Sequence, residues 1–243
     1  LSMLRNRTKL FNNLKDPLEK LELYTFVYFH IYGLRSNYFH NRMYTYAQEI
    51  EALPTSPNPG DVNALFQRLW NELKNKFPPD PKKEIFTENF SEISYKDSSQ
   101  GRALIRHILT KLERNHESGA PAGIDDNVIN IEHIIPRRPL RDGWNLTSNN
   151  VKPFVNNIGN LVVLTADANS RLNNNSFIDK LETYSSEAQS FGLLKDLVDD
   201  EELEDSDPDK WNFSEITSDN YTGITKRSKN LAEQAWKVWM ERL

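Results

Sequence analysis

Along the first third of the chain, apolar residues return every three or four positions, the period of a helix with one buried face. Leu18, Leu21, Tyr24, Val27, Tyr28 and Ile31 form one such stripe, and Gly33 interrupts it before a second segment over 37–52. Pro54, Pro57, Pro59 and Gly60 then make a loop. Asp61 is the expected N-cap of a third helix with the stripe Val62, Leu65, Phe66, Leu69, Leu73 and Phe77, and Pro78-Pro79-Asp80-Pro81 ends it. A less regular stretch over 85–95 follows. Leu104, Ile105, Ile108, Leu109 and Leu112 then mark a helix of about four turns that starts near Ser98 or Ser99. These stripes read as core. The aromatic run from Tyr24 to Tyr46 could stack on bases, but its helical period already accounts for it as packing.

The pattern changes after Ser118-Gly119-Ala120-Pro121-Ala122-Gly123, which reads as a flexible joint. It divides a helical part, 1–117, from a second part, 124–243. Val128 to Ile135 is β-rich and stops at Pro136, and Asn160 to Thr165 is a second short strand. Ala166–Leu172 and Phe177–Ala188 read as helices, and a closing helix runs from about Thr225 to Leu243 with Leu231, Ala235, Trp236, Val238 and Trp239 on its apolar side. The expected class is mainly α with a small two-strand unit, α+β overall.

Composition narrows the chemistry. There is no cysteine, and His30, His40, His107, His116 and His133 are scattered, so no structural zinc is expected. Absence of cysteine fits a reducing cytoplasm. No apolar run is long enough to span a membrane. Leu1-Ser2-Met3-Leu4-Arg5 has neither the apolar segment nor the cleavage site of a signal peptide, and it reads as the start of a fragment. The net charge of −5 is unevenly spread. Residues 199–209 hold eight acids and no base, and without them the balance would be +3. That stretch reads as a solvated loop that repels DNA. Arg137, Arg138, Arg141 and Lys152 cluster just after the first strand.

Strand, long loop, strand, short helix is the order of a ββα-metal unit, and the polar residues stand where phosphodiester hydrolysis needs them. His133, near the end of the first strand, suits the deprotonation of water at neutral pH. Asn160 opens the second strand. Asn169 and Asn173 are four apart on the short helix, so they share a face. Glu132 and Asn169 can offer oxygen to Mg2+ or Mn2+, which keep several waters. Glu132 and His133 are neighbours, however, and a regular strand sends them to opposite faces. Both can face a phosphate only if the strand ends or bulges there.

Ile131-Glu132-His133-Ile134-Ile135-Pro136, Asn157-Ile158-Gly159-Asn160-Leu161-Val162-Val163-Leu164-Thr165, Asn169-Ser170-Arg171-Leu172-Asn173 and Phe177-Ile178-Asp179-Lys180 together resemble the C-terminal HNH domain of GmrSD-type restriction endonucleases. These are modification-dependent (type IV) enzymes, and the phosphorothioation-linked defence nuclease SspE is similar in this domain. The resemblance covers roughly 80–243, including the helix around Leu104–Glu113 and the closing helix with Ile224, Arg227 and Leu231. It implies a His-Me-finger DNA endonuclease or nickase of a phage-defence system. His133 would be the general base, Asn160 the residue orienting its loop, and Glu132 and Asn169 the metal ligands. Asn173 and Lys180 would support metal or phosphate, and Arg137 and Arg138 of the basic cluster are the further candidates for phosphate or DNA. It also implies an N-terminal NTPase-like half or partner subunit, whose Asp-Gly-Gln-Gln-Arg motif this sequence lacks. Two other readings stand beside this one: a catalytically weak DNA- or partner-binding module, and an RNA-cleaving nuclease.

Overall fold

The computed structural model describes residues 2–6, 10, 15–77, 81–116, 129–138, 148–172, 175, 177–198 and 222–241. The joint at 118–123, the acidic stretch 199–209, Arg141 and Asn173 lie outside these residues. The chain divides into two compact units, 1–86 and 87–242. The break foreseen at 118–123 would have grouped the helix 99–114 with the N-terminal part. That helix packs instead on the strands of the second unit.

The first unit is built from α1 (Lys15–Tyr24), which continues as a π-helical segment over Thr25–Ile31, α2 (Asn37–Ala52) and α3 (Pro59–Lys76). Gly33 turns the chain between α1 and α2 with φ at 61°, a conformation that a Cβ would strain. The stripe of α3 is buried throughout, with Leu69 and Leu73 fully enclosed. Tyr24 stacks on Tyr28 and Trp70, and Phe77 meets Tyr24, Tyr28 and Phe29. The Tyr28 hydroxyl is pushed up to about 12 by burial, with Tyr24 and Tyr32 adding to it. These rings are therefore core. Leu18, placed on the apolar stripe by its spacing, is 41% exposed at the edge of that face. The cap of α3 is Asn58, not Asp61: Pro59 starts the helix, and the Asn58 side chain accepts from the Gly60 amide at 2.8 Å. The less regular stretch foreseen over 85–95 is helical in its first half, as α4 (Lys83–Ser91).

The second unit centres on β1 (Ile129–His133) and β2 (Leu161–Thr165), an antiparallel pair in which Ile131 faces Val163 and His133 faces Leu161. Leu161, Val162, Val163 and Leu164 are all buried, so β2 is covered on both faces. The covering comes from α5 (Ser99–Arg114), α6 (Ala166–Leu172) and α8 (Gly192–Val198), and α7 (Phe177–Glu187) lies between α6 and α8 in the chain. Ser98 caps α5 through the Gly101 amide at 3.0 Å. The closing helix α9 (Thr222–Ala235) ends in a π-helical turn over Trp236–Met240 and packs on the 3-10 turn Ile158–Asn160. Gly159 is needed there, because a Cβ would come within 2.2 Å of the Ile224 carbonyl oxygen. Arg227 of α9 donates to the carbonyls of Gly159 and Leu161 at 2.7 and 2.9 Å. No helix among the described residues is long and apolar enough to cross a membrane.

Candidate functional site

β1 stays regular through its last residue, since the His133–Leu161 pair is still in register. Alternation along the strand therefore sends Glu132 and His133 to opposite faces. Two different environments result, and they are best taken one at a time.

On the Glu132 face the surroundings are closed. Lys180 of α7 is completely buried, and its Nζ donates to Glu132 Oε1 at 2.6 Å and to the carbonyls of His133 and Ile134 at 3.1 Å each. Three acceptors around one nitrogen use all three N–H bonds of an ammonium, whereas a neutral amine has two. Burial raises the Glu132 carboxyl and lowers the Lys180 ammonium, and the charge of each partner opposes that shift. The Tyr184 hydroxyl donates to the same carboxylate oxygen at 3.4 Å. Lys180, expected at a phosphate, is thus an internal tie on the strand end. Glu132, expected on a metal, is engaged by Lys180 and Tyr184. The short Glu-to-Lys contact forms because no bulge turns Glu132 toward the other face.

The His133 face is partly open. His133 is half-buried, and its Nε2 lies 3.3 Å from Asn156 Oδ1. With the amide oxygen as acceptor, Nε2 carries the proton and Nδ1 keeps its lone pair. Tyr95 meets the imidazole edge-on, with centroids 5.1 Å apart at 81°. Burial first, then the charges of Arg137 and Lys180, bring the imidazole down to about 4. At neutral pH it is uncharged and able to accept a proton.

Asn160 is fully buried and staples the two loops beside this face. Its Oδ1 accepts from the Ile135 amide at 2.9 Å, and its Nδ2 donates to the carbonyls of Ile135 and Val155 at 3.0 and 2.8 Å. The Ile134 amide also reaches the Asn160 carbonyl at 3.0 Å. Beneath them Ile135, Val151, Phe154, Val155 and Ile224 form one apolar cluster. The backbone after His133 is therefore held on both its polar and its apolar sides.

Asn169 sits on α6, which packs against both strands. Its Oδ1 is buried and takes no hydrogen bond. An orphaned carbonyl-type oxygen is costly unless something outside the protein completes it, and a hard cation is such a partner. Among the described residues no group of three or more His, Cys, Asp or Glu could enclose a metal. Any ion here would keep much of its water. Arg137 and Arg138 are exposed just beyond the strand.

Three residues at the site were not singled out from the sequence: Tyr95, Asp97 and Asn156. They arrive through backbone pairing between remote segments. Ser94 bridges to Asn157, the Tyr95 amide donates to the Asn156 carbonyl at 2.7 Å, and the Ile158 amide donates to the Ile93 carbonyl at 2.9 Å. A separate cavity of about 340 Å3 lies among Leu112, His116, Asp196, Gln234, Lys237 and Val238, and it contains none of the residues foreseen as functional.

Residues 80–233 match the family model of the C-terminal domain of GmrSD restriction endonucleases. The chain belongs to that family. The match takes in β1, β2, α4 to α8 and most of α9, and it leaves out α1 to α3. The residues around His133, Asn160 and Asn169 all fall inside the family's span, whereas the aromatic core of the first unit does not. No curated protein matches the chain.

Proposed function

We propose that the second unit is an HNH-type, ββα-metal endonuclease domain that hydrolyses phosphodiester bonds in DNA, with His133 as the general base. The observation that carries this reading is the imidazole of His133: uncharged at neutral pH, half-open to solvent, and oriented through Nε2 by Asn156. Membership of a restriction-endonuclease family makes a DNA backbone the natural substrate. On this reading His133 Nδ1 removes a proton from the attacking water, and the Asn156 amide oxygen steadies the imidazolium that forms. Asn160 keeps the loop after β1 in place while that happens. Asn169 Oδ1 would hold Mg2+ or Mn2+, with water completing the shell. A bound divalent ion supplies charge neutralisation at the phosphate and at the departing oxygen. Arg137 and Arg138 would face the DNA backbone. Recognition of a DNA modification, and coupling to an NTPase-like half or partner subunit in cytoplasmic phage defence, belong to the same proposal. The test is supercoiled plasmid incubated with the full chain. Nicked or linear product is expected with Mg2+ or Mn2+ and none with chelator. Unchanged plasmid under every metal condition would overturn the reading.

The ligand assignment has its own test. Asn169→Ala should lose most cleavage, while Asn169→Asp should keep part of it, because aspartate retains an oxygen but lowers the Lewis acidity of the ion and repels the phosphate. Magnesium titrations of the rate read the difference. A common midpoint for all three proteins, with rate losses that follow stability, would remove Asn169 as a ligand.

The pH profile follows from the depressed imidazole. For kcat/KM, which reports the free protein, His133 should hold activity down to near pH 4, its acid limb lying well below the usual histidine range. Bound phosphate favours the imidazolium, so the limb in kcat should lie at higher pH. The same depression ties stability to pH. An unfolded chain takes up the proton near 6.5 and the folded one only near 4, so His133's contribution is complete above the first value and declines as pH falls through that window. An acid limb near 6.5 in kcat/KM would contradict the depressed value.

A further inference from the structure

We propose that Arg102 and Arg137 form a receptor for one backbone phosphate of the bound nucleic acid, and that Asp97 fills this receptor until the phosphate displaces it. The inference rests on the nuclease reading above and adds to it a substrate subsite with a built-in competitor. Asp97 Oδ1 accepts from Arg102 at 2.7 Å, and Asp97 Oδ2 accepts from Arg137 at 3.4 Å. Each carboxylate oxygen thus serves a different guanidinium. Two arginines converging on a small oxyanion is also the arrangement that holds phosphate. Arg102 comes from the first turn of α5 and Arg137 from the segment after β1, so the tertiary fold brings them together.

The receptor adjoins the proposed base. The Arg137 guanidinium lies 5.8 Å from the centroid of the Tyr95 ring, and the same ring meets His133 edge-on. A phosphate between the arginines would sit against the tyrosine that walls the imidazole. The helix α5 begins two residues after Asp97, and the positive end of its dipole adds to the attraction.

Asp97 is well suited to being displaced. Its side chain is 62% exposed and those of Arg102 and Arg137 are 49% and 51% exposed, so solvent screens both pairs and each contributes little to stability. The arginines, Arg137 foremost, still hold the carboxyl below its usual range, which keeps it charged and in competition with phosphate at any pH where the domain would work. The loop does not depend on Asp97 for its course, because Ile93 and Tyr95 are pinned by backbone bonds to Ile158 and Asn156.

Binding of a fluorescent DNA duplex to the full chain in chelator, followed by anisotropy, tests this without cleavage. Asp97→Asn should tighten binding roughly two- to fivefold at low salt, the size expected from removing exposed ion pairs. Glu88→Gln removes the same unit charge from the exposed side of α4 and should change affinity less. Arg102→Ala should weaken binding and reduce the slope of log affinity against log salt by about one. In the Arg102→Ala/Arg137→Ala background, Asp97→Asn should have no more effect than Glu88→Gln. If Asp97 merely ties the two arginines in place, Asp97→Asn will leave binding unchanged or weaken it. That result, with DNA still bound by the wild type, overturns the receptor and leaves the nuclease reading standing. A gain no larger than that of Glu88→Gln overturns it equally. Failure of the wild-type chain to bind DNA at low salt would remove both.

Discussion

Replacing His133 with alanine is expected to lower plasmid cleavage by roughly 100- to 10,000-fold, the range for loss of a general base. The fold should survive. His133 is half-open, and among the described residues its side chain hydrogen-bonds to Asn156 at 3.3 Å and makes a ring-edge contact to Tyr95. Loss of such a bond costs about 1 kcal/mol. The ties that shape the strand end belong to the Asn160 amide and the Lys180 ammonium, neither of which uses the imidazole. Asn156→Ala should have a smaller effect, seen mainly in kcat, because the base would remain but lose its orienting partner. Cleavage rates and circular dichroism on the same preparations decide the matter. A folded His133→Ala protein that nicks plasmid at the wild-type rate would end the assignment.

Lys180→Met is expected to be among the most destabilising single changes in the second unit, by about 3–5 kcal/mol. The ammonium neutralises Glu132 and fills the acceptors of the His133 and Ile134 carbonyls, all away from water. Methionine occupies similar space but leaves a buried carboxylate without its cation. Glu132→Gln combined with Lys180→Met removes both charges and should recover part of the loss, a coupling that a double-mutant cycle reads directly. Hydrogen exchange of the β1 and β2 amides measures it within this unit alone. A loss below about 1 kcal/mol would show that the pair contributes no more than a surface contact does. Because both carbonyls flank the proposed base, cleavage by the double variant also separates charge from position. Activity that returns with stability would mean that Lys180 acts only through the fold.

Much of the local structure was legible along the chain. The stripes of α3 and α5, the two short strands and the helices α6, α7 and α9 follow from periodicity and punctuation, which are properties of neighbouring residues, whereas the short α8 was not foreseen. The order His133, Asn160, Asn169 was also readable, and it sufficed to point to the family that the chain proves to belong to. The direction in which Glu132 points was not readable. It turns on whether β1 ends before or after His133, and the pairing of His133 with Leu161, far along the chain, settles that. The role of Lys180 was hidden for the same reason: a lysine in an amphipathic helix is usually solvated, and only the depth at which α7 packs makes this one an internal cation. Tyr95, Asp97 and Asn156 carry no signal in their own segments and gain meaning from the backbone bridge between 93–95 and 156–158. Periodicity and residue order by themselves determined most of the longer elements and marked His133, Asn160 and Asn169 as chemically apt. Tertiary pairing decided which of those side chains share a face, because a hydrogen-bond register between distant segments sets the direction of every side chain along it.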